Sequence, residues 1–150
     1  MRYLQESMSL WTRCLSVLGV IAVLPACASA QVIIVNAANK HIELSKDEVS
    51  NLFLKKTLKW NGGKSVVPVD QDKSAKVREL FSKAYHGRSP SAIESFWQQQ
   101  IFSGKDVPPA VKTSDEEVIA FVKANPNAIG YVSAGTELGD GVKVVKVSGL

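Results

Sequence analysis

The sequence has 150 residues, 45% of them hydrophobic, and a formal net charge of +4. That length suits one domain and not two. The charge is mild and scattered and no aromatic–basic stacking pattern accompanies it, which excludes a nucleic-acid binder but suits a small anionic ligand.

The first thirty residues read as an export signal. Arg2 and Arg13 precede an apolar run from Cys14 to Leu24, Pro25 breaks it, and Ala28-Ser29-Ala30 supplies the small residues of a cleavage site. The run is too short to span a bilayer, which takes about 20 apolar residues. Cleavage after Ala30 leaves Gln31 first and a soluble periplasmic product. Leu24-Pro25-Ala26-Cys27 offers a lipoprotein alternative through Cys27, although Pro25 fits such a box poorly. Both cysteines, Cys14 and Cys27, fall in the removed part. The mature chain is then expected to have no disulfide, thiolate metal site or cysteine nucleophile. It keeps 16 basic and 13 acidic side chains, a net charge of about +3.

Val32-Ile33-Ile34-Val35 is continuously apolar, as in a strand buried on both faces. Ser45-Lys46-Asp47-Glu48 is a capping box that starts a helix carrying Val49, Leu52 and Phe53 on one face and ending near Lys55. Trp60 stands before the Asn61-Gly62-Gly63 turn, where it reads as a lid over the core edge. Val66 to Val69 is the next strand. A helix from Ser74 buries Val77, Leu80, Phe81, Ala84 and Tyr85 and stops at Gly87. Ser89-Pro90 starts another, with Ile93, Phe96, Trp97 and Ile101 as its buried stripe and Gly104 as its end.

Ser114-Asp115-Glu116-Glu117 reads as a second capping box, and its helix ends near Asn125 because Pro126 follows. Ala128 to Val132 is a short strand in which Gly130 permits close approach. Val142 to Val147 is the last strand, and its lysines suit a sheet edge. The expected order is β–α–β–α–α–α–β–β.

One junction carries a candidate site. The strand Val66–Val69 runs through Asp70 to Lys73 into the Ser74 helix, with Lys73, Lys76 and Arg78 around the turn. Unpaired N–H groups at a helix start, backed by the dipole and by cations, make an anion seat. Catalysis is not expected: there is no serine elbow, histidine-centred triad or cysteine nucleophile. His41 and His86 have no metal-spaced partner. The acid pairs Asp47-Glu48 and Glu116-Glu117 sit in first helical turns, where negative charge is favoured without any acid–base role. No cofactor, metal or nucleic acid is expected.

The succession Leu44-Ser45, Leu52-Phe53, Trp60-Asn61-Gly62-Gly63, Val67-Pro68-Val69, Phe96-Trp97, Ile101-Phe102-Ser103-Gly104 and Asn125-Pro126-Asn127-Ala128-Ile129-Gly130-Tyr131-Val132 resembles the phosphate ABC transporter substrate-binding proteins, in their short single-lobe form. The resemblance covers nearly all of residues 32 to 132. It implies an α/β fold: a single three-layer lobe of the type-2 periplasmic binding protein fold, a mixed sheet flanked by helices, with residues 31–150 forming one such domain. It also implies a non-enzymatic periplasmic protein that binds inorganic phosphate or another small anion. Full-length members hold phosphate between two lobes, and this chain matches the second lobe alone, so a second copy or another envelope protein would complete the cleft. The family's ligand loop carries an arginine followed closely by Ser-Gly-Thr. The matching positions here read Gln71-Asp72-Lys73-Ser74-Ala75-Lys76, without either feature. With the helix start and its cations, the candidate ligand-binding positions are Gln71, Ser74, Ala75, Lys76 and Arg78. The alternative is a ligand-free protein-interaction or sensor-accessory module built on the same lobe.

Overall fold

The structure, a computed structural model, describes residues 31–150, so the expected leader with Cys14 and Cys27 lies outside the described residues. The elements are β1 (Gln31–Asn36), β2 (Glu43–Ser45), α1 (Lys46–Phe53), β3 (Val67–Gln71), α2 (Lys76–Phe81), α3 (Pro90–Phe102), β4 (Ala110–Lys112), α4 (Asp115–Ala124), β5 (Ala128–Ser133) and β6 (Val142–Ser148). A π-helical turn, Ser82–His86, extends α2, and Gly87 closes it in the left-handed region at φ 63°.

The strands form one six-stranded mixed sheet in the order β2-β6-β1-β5-β3-β4. β1 lies at its centre, antiparallel to both β5 and β6, which is why its apolar run is continuous. Successive β1 side chains enter opposite cores. Ile33 and Val35 join the layer built with α1 and α2, and Ile34 joins the layer built with α4. In the first layer Phe81 stacks flat on Tyr131, ring centroids 3.9 Å apart, and meets Phe53 edge-on. In the second, Val118 and Val122 pack on Ile34, Val69 and Val132. A Cβ on Gly130 would stand 2.7 Å from Val118 Cγ1 and 2.9 Å from Val69 Cγ1, so the glycine sets how closely α4 approaches β5. Helices on both faces make the lobe three-layered.

Local sequence accounts for the caps. Glu48 N–H donates to Ser45 Oγ and Ser45 N–H to Glu48 Oε2, completing the first capping box. In the second, Ser114 Oγ accepts from Glu117 N–H, but the Glu117 carboxylate accepts from Thr113 N–H and Oγ instead of from Ser114 N–H.

The structure corrects four expectations. β2 and β4 are additional strands of three residues each, too short for periodicity to reveal. β6 is not an edge: β2 pairs parallel to its outer side, and Lys146 stands 3.8 Å from Glu43 across that pair. α2 starts at Lys76 and not Ser74, for a reason that belongs to the site. The predicted stripe of α3 holds only in part: Ile93 and Trp97 are buried, Ile101 is 51% exposed, and Phe102 beside it is 92% exposed.

Candidate ligand site

β3 carries its last two residues, Asp70 and Gln71, into the interior at the end of the sheet. Gln71 is locked there. Its Nε2 donates to the Tyr131 carbonyl at 2.9 Å and to Asp115 Oδ1 at 2.7 Å, and its own N–H donates to the Tyr131 hydroxyl. Asp115, the first residue of α4, also accepts from Ser133 N–H and Thr136 Oγ. Burial opposes its charge, but these hydrogen bonds outweigh burial and hold its pKa below the usual carboxylate range.

Asp70 forms the second buried knot. Its carboxylate accepts from the Tyr131 hydroxyl and pairs with the Arg78 guanidinium, whose Nη1 is 3.5 Å from the same hydroxyl. Arg78 is only 6% exposed. Burial opposes its charge, yet Asp70 and the Tyr131 oxygen prevail and raise its pKa. Burial, with the Asp70 charge adding to it, pushes the Tyr131 hydroxyl upward. Arg78 Nε is enclosed and finds no acceptor.

The turn itself is organised by Asp72. Ser74 N–H and Ser74 Oγ both donate to Asp72 Oδ1, at 2.9 and 2.6 Å, and Ala75 N–H donates to the Asp72 carbonyl. This side-chain turn competes with the helix for Ser74, so Ala75 becomes the N-cap, without a side-chain cap, and the helix begins at Lys76. The two hydrogen bonds from Ser74 lower the Asp72 pKa.

Each cation of the stretch faces a carboxylate. Lys73 reaches Glu94 on α3 at 3.1 Å, Lys76 reaches Glu79 at 2.9 Å, and Arg78 holds Asp70. Glu79 also accepts from Lys83, and hydrogen bonds from Lys83 and then Lys76 bring its pKa down to about 2.

Two adjoining concavities open here. The inner one, about 290 Å³, lies between the β3 end and α3 and is lined by Gln71, Asp72, Lys73, Arg78, Glu94 and Trp97 among others. The outer one, about 350 Å³, lies over Lys73, Ser74, Ala75, Lys76 and the start of α3. The five expected positions therefore divide: Ser74, Ala75 and Lys76 face the outer concavity, Gln71 and Arg78 the inner, with Lys73 common to both. Sequence reasoning missed Asp70, Asp72, Glu94, Asp115 and Tyr131. Only Asp72 left a local signal, an aspartate two residues ahead of a serine, the spacing of a side-chain turn. Among the described residues no group of three or more His, Cys, Asp or Glu is arranged to hold a metal ion.

No protein-family model matches the sequence, and no curated protein matches it either. Solved structures do match. A protein designated a phosphate ABC transporter substrate-binding protein, from Clostridium perfringens and solved with bound phosphate, superposes with a TM-score of 0.64 at 19% identity, over 81% of this chain and 46% of that one. This chain shares that fold. An ABC-type phosphate transport receptor from Vibrio cholerae gives 0.60 at 17% identity, over 79% and 46% of the two chains. PstS from Borrelia burgdorferi gives 0.56 at 18%, over 79% and 47%. The chain thus has the lobe architecture expected from its sequence and spans less than half the length of these substrate-binding proteins.

Proposed function

We propose that the protein is a non-enzymatic, solute-binding-like protein of the bacterial periplasm that holds a small anion, inorganic phosphate first, at the turn between β3 and α2. One observation carries this reading: Ser74 N–H and Ser74 Oγ converge on a single carboxylate oxygen, Asp72 Oδ1. Two donors aimed at one anionic oxygen form a grip that an incoming anion can take over when Asp72 swings out. Ala75 contributes backbone to the same turn, and Lys76 supplies charge at its rim. Gln71 and Arg78 form the floor by fixing the end of β3. The shared fold with a protein solved with bound phosphate supports phosphate as the first ligand to try. The turn opens on one side, where a second copy or another envelope protein would complete a cleft.

Isothermal titration with phosphate tests this. Asp72→Asn keeps an acceptor for Ser74 but removes the competing charge, so it should bind phosphate about tenfold tighter than the parent, the scale of one hydrogen bond to a charged group. Lys76→Ala should bind more weakly. No heat at millimolar phosphate from either the parent or Asp72→Asn refutes the seat.

A further inference from the structure

The end of the sheet remote from this turn holds another cavity, of different character. β1 runs antiparallel to β5, and β5 runs parallel to β3, so the residues after Asn36 meet the residues ahead of Val67 and Ala128. Trp60 fixes the meeting point. Its Nε1 donates to the Asn127 carbonyl at 3.1 Å, and His41 stacks on its ring with centroids 4.7 Å apart and planes 18° from parallel. Beside them lies a cavity of about 270 Å³ bordered by Asn39, Lys40, His41, Trp60, Lys64 and Asn127.

Its polar lining is rich in donors. No carboxylate borders it, and among the described residues neither Lys40 nor Lys64 takes part in an ion pair. Asn39 is 8% exposed. Its Oδ1 accepts from His41 N–H at 2.9 Å, which fixes the amide orientation and leaves Nδ2 as a donor with no partner among the described residues. Lys143 Nζ donates to the Asn39 carbonyl, bringing a third ammonium close behind. Ala38, Pro126 and the Trp60 indole give apolar walls. By contrast, Asp70, Asp72 and Glu94 all border the inner concavity at the other end.

We propose that this cavity is a second ligand site, for a small organic dianion: a carbon body bearing a phosphomonoester or two carboxylates. Two unpaired ammonium groups and a free amide N–H on the largely buried Asn39 select negative charge. The apolar walls select a ligand with carbon to bury, against a bare inorganic ion. The volume is at the lower edge of small-molecule pockets, roughly 300 Å³ and upward, which limits the ligand to metabolite size. This site is independent of the turn between β3 and α2.

Isothermal titration of protein produced from the full-length chain, with glycerol 3-phosphate and with succinate, tests the proposal and separates the two head groups. At least one probe should bind, and the Lys40→Ala/Lys64→Ala double variant should weaken it by about tenfold or more. Both lysines are exposed, so circular dichroism should show an unchanged melting curve. Asn39→Asp keeps the acceptor for His41 N–H and replaces the free donor by negative charge, so it should lower affinity at least as far. No heat from either probe at millimolar concentration, binding that survives the double variant, or equal binding of inorganic phosphate abolished by the same variant would each overturn the proposal.

Discussion

Removing Arg78 separates a structural cation from a ligand-gripping one. The guanidinium is 6% exposed and faces Asp70, itself 6% exposed, with Tyr131 bonded to both. Arg78→Ala leaves the Asp70 carboxylate buried without its counter-charge, and losing one partner of a buried pair costs about 3–5 kcal/mol. A domain has about 5–15 kcal/mol in total, so the variant forfeits a large share of its stability. With a urea m-value of about 2 kcal/mol/M, a loss of about 4 kcal/mol lowers the unfolding midpoint by about 2 M. Asp70→Leu/Arg78→Met removes both charges and should recover most of that loss, because an apolar pair of similar volume is often neutral or better. Urea unfolding of the parent, the single variant and the double variant measures the cycle. A midpoint for Arg78→Ala within about 0.5 M of the parent, roughly 1 kcal/mol at that m-value, would refute the structural role. Phosphate affinity lost without any stability change would instead make Arg78 a direct ligand contact.

Two further outcomes follow from the packing. Burial first, then the charges of Arg78, Lys56 and Arg88, lower the His86 pKa from 6.5 to about 4, while a 2.8 Å hydrogen bond joins its Nδ1 to Ser50 Oγ. The unfolded chain therefore takes up a proton between pH 6.5 and 4 that the folded chain refuses, so stability falls as pH drops through that window, by up to about 3 kcal/mol. Urea unfolding at pH 7 and pH 4.5 should show a smaller difference for His86→Gln than for the parent, and equal differences would disprove it. Gly130→Ala drives a methyl into the β-branched side chains of Val118 and Val69, which cannot swing clear inside the core. Overpacking of this kind costs about 1–3 kcal/mol, and a thermal melt indistinguishable from the parent's would show that α4 can retreat.

The elements legible in the sequence were those whose signal is local. The unbroken Val32–Val35 run, the reciprocal Ser45–Glu48 cap, the Ser89-Pro90 start and the left-handed Gly87 each appear where expected, because hydrophobic period, capping and φ preference act within a few residues. β2 and β4 were hidden because a three-residue strand exists only through its neighbour, β6 in one case and β3 in the other. The Ser74 helix start failed through a local contest between two legitimate signals. Serine is a good cap, but Asp72 captured its N–H and hydroxyl first. Arg78 looks like available charge because nothing within the α2 sequence announces Asp70 on another element or Tyr131 on a third. Such a knot becomes visible only when the sheet order is known.

Charge available to a ligand depends on what remains unpaired rather than on how many basic residues gather at a turn. Around the end of β3, Lys73, Lys76 and Arg78 look like an anion trap in one dimension, yet each meets a carboxylate in three. Asp72 even lies along the two Ser74 donors, so an arriving phosphate must displace a negative group already in position. At the far end of the sheet, Lys40 and Lys64 come from separate loops and suggest no motif, but they border one cavity with no carboxylate in its lining. An ion pair at the surface lets most of each partner's field cancel, whereas an isolated ammonium at a concave, partly apolar wall keeps its field focused on what enters. The two proposed sites thus give this lobe two physically distinct routes to an anion. One, at the turn, is held back by internal competition that a single Asp72→Asn change relieves. The other, around Trp60, needs no displacement, and its selectivity comes from apolar walls instead of from a shaped phosphate loop.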